Sequence, residues 1–307
     1  MRLRHLWTAL CSAAFVLAGT VTTAHADTVP PESAPPLRFV SYNICGNMCV
    51  NAPYDNQQRI DSVVDQAKSS GWKADQIFLQ EVCRPQFNVI ADRLRPMGLQ
   101  GRFTPTISGN DSVCGGSQYG VAIFVKGRIS EYQVLDLTQG GEAEPITVPC
   151  VKSTTQGRLN WACSVHLYWR DAKLNVAEAR QLAAQVKVWR DQGTPVVLGG
   201  DFNRTPRTDA LSEFYSAGID DGGVGAFVEA DETDKEHFNR EVCDPSVKSR
   251  CRSGAPTIGS AATNDEMKID YLFFDEKHFR NVKGDVLPED PQVSDHRMIR
   301  GAAAWAN

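Results

Sequence analysis

Residues 195–206 form the stretch Pro-Val-Val-Leu-Gly-Gly-Asp-Phe-Asn-Arg-Thr-Pro, and this stretch decides the fold class. A short apolar run bounded by glycines is typical of a fully buried strand, which is predicted here over residues 195–198, with Asp201 shortly after it. Just before it, residues 175–178 (Asn-Val-Ala-Glu) resemble a capping box that opens a helix, and an apolar stripe continues to Trp189. A helix followed by a buried strand is the pattern of an α/β protein.

The same alternation continues along the chain. Strands are predicted at residues 37–44, 77–79, 121–125, 269–274 and 297–304, and helices at 56–69 and 85–95. Residues 147–152 and 160–167 have the pattern of a hairpin. Hairpins among alternating strands and helices predict mixed sheets covered by helices. With 42% hydrophobic residues, 22% charged residues and a net charge of −5, the composition argues against disorder and against general polyanion binding.

The N-terminus has the features of an export signal. Arg2 and Arg4 precede an apolar run, and residues 24–26 (Ala-His-Ala) have the small-x-small form of a signal-peptidase site. A short membrane anchor is the alternative, but the run is shorter than the ~20 residues of a membrane span. We therefore predict a signal peptide over 1–26, a flexible Pro-rich spacer over 27–36 and a folded domain over 37–307. The protein is expected to be secreted or periplasmic, without stable membrane insertion.

Eight of the nine cysteines follow the predicted cleavage site, and an even number in an exported chain favours disulfide bonds. A structural zinc ion is the alternative, but the sequence has no Cys-x-x-Cys pair. Cysteines that flank a turn or close a short loop are natural partners. The predicted pairs are Cys150–Cys163, Cys243–Cys251, Cys45–Cys49 and, by elimination, Cys83–Cys114.

Acids, amides and histidines recur at the ends of the predicted buried strands. They are Asn43, Glu81, His166, Asp201, Asn203, Asp270, Asp295 and His296. Burying an unpaired carboxylate is costly, so these side chains are expected to cluster and to hold a cation. Oxygen ligands suit Mg²⁺, with Mn²⁺ and Ca²⁺ as alternatives, and a histidine beside a carboxylate can move a proton near neutral pH. The set therefore indicates metal-assisted hydrolysis of a phosphate ester.

Each of these residues also has a plainer interpretation. Acids and asparagines often cap helices and turns, and a single histidine is commonly a satisfied core residue. Asp270 would pair with Lys268 on a surface under that interpretation. Taken together and in order, the residues favour a functional cluster.

Seven short motifs, in order, carry a resemblance to a known family. They are Ser-Tyr-Asn-Ile (41–44), Leu-Gln-Glu-Val (79–82), Tyr-Gly-Val-Ala-Ile (119–123), Ser-Val-His-Leu (164–167), Gly-Asp-Phe-Asn-Arg-Thr-Pro (200–206), Lys-Ile-Asp-Tyr (268–271) and Ser-Asp-His (294–296). Over residues 37–304 the chain resembles the endonuclease/exonuclease/phosphatase superfamily, the group around DNase I. The resemblance implies a four-layer α/β sandwich of two packed mixed β-sheets flanked by helices.

The resemblance also implies a metal side of the site. Glu81 would be the principal metal ligand, with Asn43 beside it, and Asp295 would complete this side.

It implies a set of catalytic residues as well. Asp201 would orient or deprotonate the attacking water, and Asn203 would hold a phosphate oxygen and steady His166. His166 and His296 would contact the phosphoryl oxygens and serve proton transfer. Asp270 would pair with one of the two histidines, His296 being favoured.

The chain departs from the members that cleave duplex DNA in the manner of DNase I. Those members have a glutamate beside the first histidine and an arginine in the groove-contacting hairpin, where Gln118 and Glu144 are the nearest residues here. This argues against duplex binding of that type. Residues 168–170 (Tyr-Trp-Arg) follow His166 and would contact a base, a lipid or a phosphate, or simply end a hairpin.

We therefore predict an exported, divalent-metal-dependent phosphodiesterase, in the first place a DNA endonuclease that acts as a monomer without a protein partner. The alternatives on the same fold are a sphingomyelinase-type phospholipase C and a phosphatase acting on sugar or inositol phosphates. A catalytically silent binding module is the alternative from another class, and the intact set of acids and histidines argues against it.

Overall fold

The computed structural model describes residues 29–49, 52–53, 57–109, 113–217, 222–233, 252–260 and 262–307. The strands within these residues are β1 Leu37–Asn43, β2 Met48–Cys49, β3 Ala52–Pro53, β4 Gln76–Cys83, β5 Leu99–Ile107, β6 Tyr119–Lys126, β7 Ile129–Asp136, β8 Thr147–Thr155, β9 Arg158–His166, β10 Val196–Asp201, β11 Phe227–Glu229, β12 Asp270–Asp275, β13 Phe279–Val286 and β14 Ile299–Trp305. The helices are α1 Gln57–Ala67, α2 Arg84–Leu94, α3 Ala172–Asp191 and α4 Asp209–Ser212. The predicted signal peptide and the predicted Cys243–Cys251 pair lie outside the described residues.

The longer strands form two six-stranded mixed sheets. The order is β13-β14-β1-β4-β6-β5 in the first sheet and β11-β12-β10-β9-β8-β7 in the second. Each sheet has one parallel pair near its middle, β1 with β4 and β9 with β10, and its other neighbours are antiparallel. The carboxyl ends of a parallel pair meet at one edge of the sheet, which is where α/β proteins place their sites.

Apolar contacts join four layers. Between the sheets, the rings of Phe39 and Phe274 meet edge to face with centroids 4.8 Å apart. Ile90 of α2 packs on the outer face of the first sheet. Trp189 of α3 stacks on Trp161 of β9 on the outer face of the second sheet, at 4.3 Å. Each buried side chain of this size contributes ~1.5–3 kcal/mol, and the predicted four-layer sandwich is confirmed.

Two glycines let β10 lie close to its neighbours. A Cβ on Gly199 would stand 2.4 Å from the Phe78 ring of the other sheet, and one on Gly200 would stand 2.0 Å from the carbonyl oxygen of Val165. Any other residue would push β10 away from β4 and β9. The Gly-Gly pair therefore fixes the position of Asp201, the next residue in the strand.

Residues 29–36, part of the stretch for which the composition predicts a flexible spacer, form a turn against the domain. The guanidinium of Arg38 donates to the carbonyl oxygens of Pro35, Pro31 and Ala34 at 2.6–3.0 Å. Three hydrogen bonds from one guanidinium group tie this segment to β1, so Arg38 holds it in place.

Three of the predicted disulfide bonds are confirmed: Cys45–Cys49, Cys83–Cys114 and Cys150–Cys163. Among the described residues, no helix has the length and apolar character needed to cross a membrane.

Candidate active site

The predicted site residues come from the carboxyl ends of the parallel strands in both sheets. Asn43 ends β1, and His166 and Asp201 end β9 and β10 as register partners. Asp270 opens β12, opposite Asp201. Glu81 lies in β4 beside the end of β1. Because the two sheets face each other, these side chains meet at one edge of the sandwich.

Asn43 connects the two sheets at this edge. Its Nδ2 donates to Glu81 Oε1 at 3.0 Å and to Asp201 Oδ2 at 3.1 Å. Its Oδ1 accepts the backbone N–H of Cys45 at 3.0 Å. The amide therefore turns its NH₂ group toward the two carboxylates, which balances part of their negative charge.

Glu81 is aimed into the site by an irregularity in its strand. The register between β4 and β6 shifts between Leu79 and Val82, and Glu81 has a φ of 58°, which is strained for a residue with a side chain. The N–H of Gly46 holds the Glu81 carbonyl at 2.7 Å. The preceding residue, Gln80, instead donates across the sheets to Ser164 Oγ at 3.0 Å. Because of the bulge, the adjacent side chains point to different places: Glu81 points into the site, and Gln80 contacts the second sheet.

His296 is held by Asp270. The Nδ1 of His296 lies 2.9 Å from Asp270 Oδ2, and its Nε2 lies 3.7 Å from Asp201 Oδ2. Burial alone would lower the pKa of His296, but the charge and hydrogen bond of Asp270 raise it to about 10. The imidazole is therefore a cation at neutral pH, with Nε2 directed at Asp201.

Asp201 lies between the two histidines. Its Oδ2 is 3.8 Å from His166 Nε2, and the same nitrogen is 3.9 Å from Glu81 Oε1. Burial and the charge of Asp270 raise the pKa of Asp201 to about 6, against the opposing effect of the histidines and Asn43. A carboxylate with a raised pKa next to a histidine is suited to accept a proton.

Asn203 positions the loop around His166. It has a φ of 55°, and its N–H donates to Asp201 Oδ1 at 2.8 Å. Its Nδ2 donates to the carbonyl oxygen of Leu167 at 2.9 Å, just after His166. This contact ties the end of β10 to the end of β9.

Asp295 has a different neighbour from the other predicted ligands. It is exposed, and its Oδ1 lies 3.4 Å from Cys49 Sγ in the Cys45–Cys49 disulfide. Asp295 therefore lies at the rim of the site, and His296 is the next residue in the chain.

Several residues that support the site were not singled out from the sequence. Ser294 accepts the N–H of His296 at 3.1 Å and donates to the carbonyl oxygen of Asn43 at 2.7 Å. Thr257 Oγ1 accepts the N–H of Asp270 at 3.1 Å. Tyr119 is buried, and burial together with Glu81 raises the pKa of its phenol, which keeps it a donor. Ser294 and Tyr119 lie within the quoted motifs, so only Thr257 gave no signal.

The start of α3 differs from its prediction. The N-cap is Asp171, whose carboxylate accepts the N–H groups of Lys173 and Leu174, so residues 175–178 are not a capping box. Instead, Asn175 Nδ2 donates to the carbonyl oxygens of Tyr168 and Phe202 at 2.8 and 2.9 Å. Glu178 Oε2 accepts the N–H of Tyr168 at 2.8 Å. Both side chains are buried because they fasten the loops that follow β9 and β10.

Gln118 and Glu144, the residues nearest the DNase I-type duplex contacts, are both engaged within the protein. Gln118 Oε1 accepts from Arg84 Nε at 2.9 Å, and Glu144 Oε2 accepts from Thr106 Oγ1 at 2.8 Å. Glu144 also lines a small pocket that reaches His166.

The donor set at this edge fits a divalent cation. The carboxylate of Glu81 is about a quarter exposed, and buried Asp270 Oδ1 has no hydrogen-bond partner among the described residues. Carboxylate oxygens of Asp201 and Asp270 also lie within 4.8 Å of each other. Carboxylate oxygens grouped in this way are the ligands that Mg²⁺ and Ca²⁺ prefer.

Fold and site together define a class of phosphoester-cleaving protein. The sequence profile described as the Endonuclease/Exonuclease/phosphatase family matches residues 40–296, so the chain belongs to this family. Its members use divalent metal ions, and this protein is a metal-dependent phosphoester hydrolase. No curated protein matches the chain in sequence.

Solved structures share the fold at low identity. The catalytic domain of human nocturnin with bound sulfate is 19% identical, with a TM-score of 0.63 over 89% of this chain and 94% of that chain. A mannosyl-6-phosphatase of Bacteroides thetaiotaomicron is 18% identical, with a TM-score of 0.60 over 87% and 99%. A truncated TDP2 of Caenorhabditis elegans is 18% identical, with a TM-score of 0.59 over 88% and 98%. At these identities the similarity establishes the fold alone.

Proposed function

We propose that this protein is an exported, Mg²⁺-dependent nuclease that hydrolyses phosphodiester bonds in DNA. The observation that carries the proposal is the junction at Asn43, whose amide lies 3.0–3.1 Å from carboxylates of both sheets. Both histidines reach the same Asp201 oxygen within 3.8 Å. This arrangement places a base, a cationic hydrogen-bond donor and oxygen ligands close enough together to contact a single phosphoryl group.

Each residue of the cluster has a proposed role in hydrolysis. Asp201 orients the attacking water and accepts its proton as the water oxygen bonds to phosphorus. His296, kept charged by Asp270, donates from Nε2 to a phosphoryl oxygen, and His166 contacts a second phosphoryl oxygen on the other side of Asp201. The bond from phosphorus to the leaving ester oxygen breaks, that oxygen takes up a proton from solvent water, and Asp201 later returns its proton to solvent.

Glu81 is the proposed principal metal ligand, Asn43 lies beside it with its NH₂ group on the Glu81 carboxylate, and Asp295 completes the rim of this side. A bound divalent cation there supplies charge neutralisation for the phosphoryl oxygens and the leaving group. Asn203 keeps His166 in place through Leu167.

Features around the cluster support a nucleic acid substrate. The loops that follow β9 and β10 carry Arg170 and Arg204. Trp169 is exposed next to Arg170, and its carbonyl oxygen accepts a hydrogen bond from Arg204. Arginine binds phosphate, and an aromatic ring stacks on a base. Export is supported by the sequence of residues 1–26 and by three disulfide bonds.

The test uses the chain from residue 27 to 307 with supercoiled plasmid and a labelled single-stranded DNA oligonucleotide. We expect cleavage in Mg²⁺, none in EDTA and at least a 100-fold loss in His166→Ala. His278→Ala is the matched control, because His278 lies in the turn after β12, at the opposite end of the sheet from Asp270. It should retain full activity.

Two outcomes would contradict the proposal. If both DNA substrates stay intact while the same preparation hydrolyses sphingomyelin or a sugar phosphate, the family assignment stands and the nuclease proposal is wrong. If His278→Ala loses as much activity as His166→Ala, the measured activity does not come from the described site.

A further inference from the structure

Trp169 is exposed beside the candidate active site. Its exposed fraction is 59%, whereas the other tryptophans of the described residues are buried or half-buried. It follows His166 by three residues, and both line the same small pocket. Exposing a large indole to water is unfavourable, so its position next to a reactive histidine requires an explanation.

The backbone that presents Trp169 is fastened on every side. Glu178 and Asn175 bind the N–H and the carbonyl oxygen of Tyr168, each at 2.8 Å. Arg204 Nη1 donates to the carbonyl oxygen of Trp169 at 3.0 Å and to that of Asn203 at 2.7 Å. The indole therefore projects from a peptide that is tied to both α3 and the end of β10. A ring held in this way is a preorganised contact surface rather than the tip of a loose loop.

The charge around the indole selects what it can bind. The guanidinium of Arg170 lies over the ring, with Cζ 4.7 Å from the centroid, and Asp171 next to it is exposed. Insertion into a lipid surface favours several neighbouring exposed apolar side chains, whereas Tyr168 before Trp169 is buried and the sequence after Trp169 turns polar at Arg170. An aromatic ring paired with arginine is instead suited to a flat, electron-rich ring attached to a phosphate.

We propose that Trp169 and Arg170 form a stacking subsite for one nucleobase of the substrate, next to the phosphate that is cleaved. The inference rests on the proposed nuclease function and narrows its substrate to nucleic acid with an unpaired nucleotide at this position. A base inside a duplex has both faces covered by its neighbours, so only a single strand, an end or an extruded base can stack on Trp169.

The test measures kcat and KM for single-stranded oligonucleotides with and without one base. Wild-type protein, Trp169→Ala and Trp169→Phe are compared on a natural strand and on strands in which an abasic analogue replaces each nucleotide near the cleaved bond. We expect Trp169→Ala to raise KM for the natural strand roughly 10- to 100-fold, with kcat nearly unchanged. Trp169→Phe should recover most of the loss, because phenylalanine keeps a stacking face.

The abasic strands identify the subsite. For the wild type, removal of one particular base should raise KM as much as Trp169→Ala does, and the two changes together should add nothing further. An equal effect of Trp169→Ala on natural and abasic strands overturns the inference and leaves the nuclease function intact. Loss of binding to sphingomyelin vesicles with unchanged DNA cleavage would assign Trp169 to lipid and also overturn it.

Failure of the underlying proposal gives a separate result. If wild-type protein cleaves neither plasmid nor any single-stranded DNA or RNA but hydrolyses another phosphoester, the nuclease function is wrong and the stacking subsite is overturned with it.

Discussion

Asn43 Nδ2 lies 3.1 Å from Asp201 Oδ2, although 158 residues and the boundary between two β-sheets separate them. A second bridge, from Gln80 to Ser164, crosses the same boundary directly behind the site at 3.0 Å. The candidate catalytic cluster therefore exists only where the two sheets meet, and neither sheet contains it alone.

Asn43→Ala should cost both activity and stability. The substitution removes the donor shared by Glu81 and Asp201 and leaves two carboxylates facing each other. We expect kcat to fall roughly 100-fold and the free energy of unfolding to fall by about 1–3 kcal/mol. Steady-state kinetics and urea denaturation measure the two effects. Wild-type kinetics in a folded Asn43→Ala protein would show that the amide has no part in the reaction.

Asp270→Asn should change the titration of His296. With Asp270 present, the pKa of His296 is raised to about 10, so the imidazolium stabilises the folded state fully below pH 6.5 and loses that effect as the pH rises through 10. Without the negative charge, the pKa should fall by at least about 2 units. An NMR titration of the imidazole protons in metal-free protein gives both values. An unchanged pKa would mean that another group charges His296.

Glu178 should make stability depend on pH. Burial raises the pKa of Glu178 to about 7, against the hydrogen bond from Tyr168 N–H and with repulsion from Glu142 adding to it. The folded state therefore binds more protons than the unfolded state, so stability is fully present below pH 4.5 and is lost as the pH rises through 7.

The matched variant for this prediction is Glu178→Gln, which keeps an acceptor for Tyr168 N–H and cannot ionise. From pH 5 to pH 8, the wild type should lose roughly 2 kcal/mol more unfolding free energy than the variant. Urea denaturation at both pH values measures this difference. Parallel curves for the two proteins would contradict the prediction.

Gly46→Ala should weaken metal binding. A Cβ at position 46 would stand 2.2 Å from the carbonyl oxygen of Glu81, so the bulge that aims Glu81 must move. We expect a roughly 10-fold higher Mg²⁺ concentration for half-maximal activity, with partial recovery at saturating Mg²⁺. An unchanged Mg²⁺ dependence would show that the bulge tolerates the shift.

The interior of each sheet could be predicted from the sequence, and the edges could not. All the central strands carry continuous or alternating apolar residues, because they are buried on both faces. The edge strands β5, β7, β11 and β13 were missed. β7 is largely exposed, β5 contains Gly101 and Pro105, and β11 has only three residues, so none shows the periodicity that burial imposes.

The residues of the site could be predicted from the sequence, but the contacts that support them could not. Polar residues at the ends of buried strands indicated which side chains meet, because strand order brings their ends to one edge. The contacts of α3 could not be predicted. Asn175 and Glu178 have the spacing of a capping box, but their side chains instead bind the loops after β9 and β10. The rim position of Asp295 depends equally on tertiary packing, through the nearby disulfide.

Because the site is built from both sheets, its geometry depends on how the two sheets are aligned. A slide of one sheet over the other by a single ångström would break the Asn43–Asp201 contact while leaving every backbone ladder intact. During gradual denaturation, turnover should therefore disappear before circular dichroism records any loss of strands. Residual activity is therefore a more sensitive measure of how the two sheets are aligned than the circular dichroism signal of the strands.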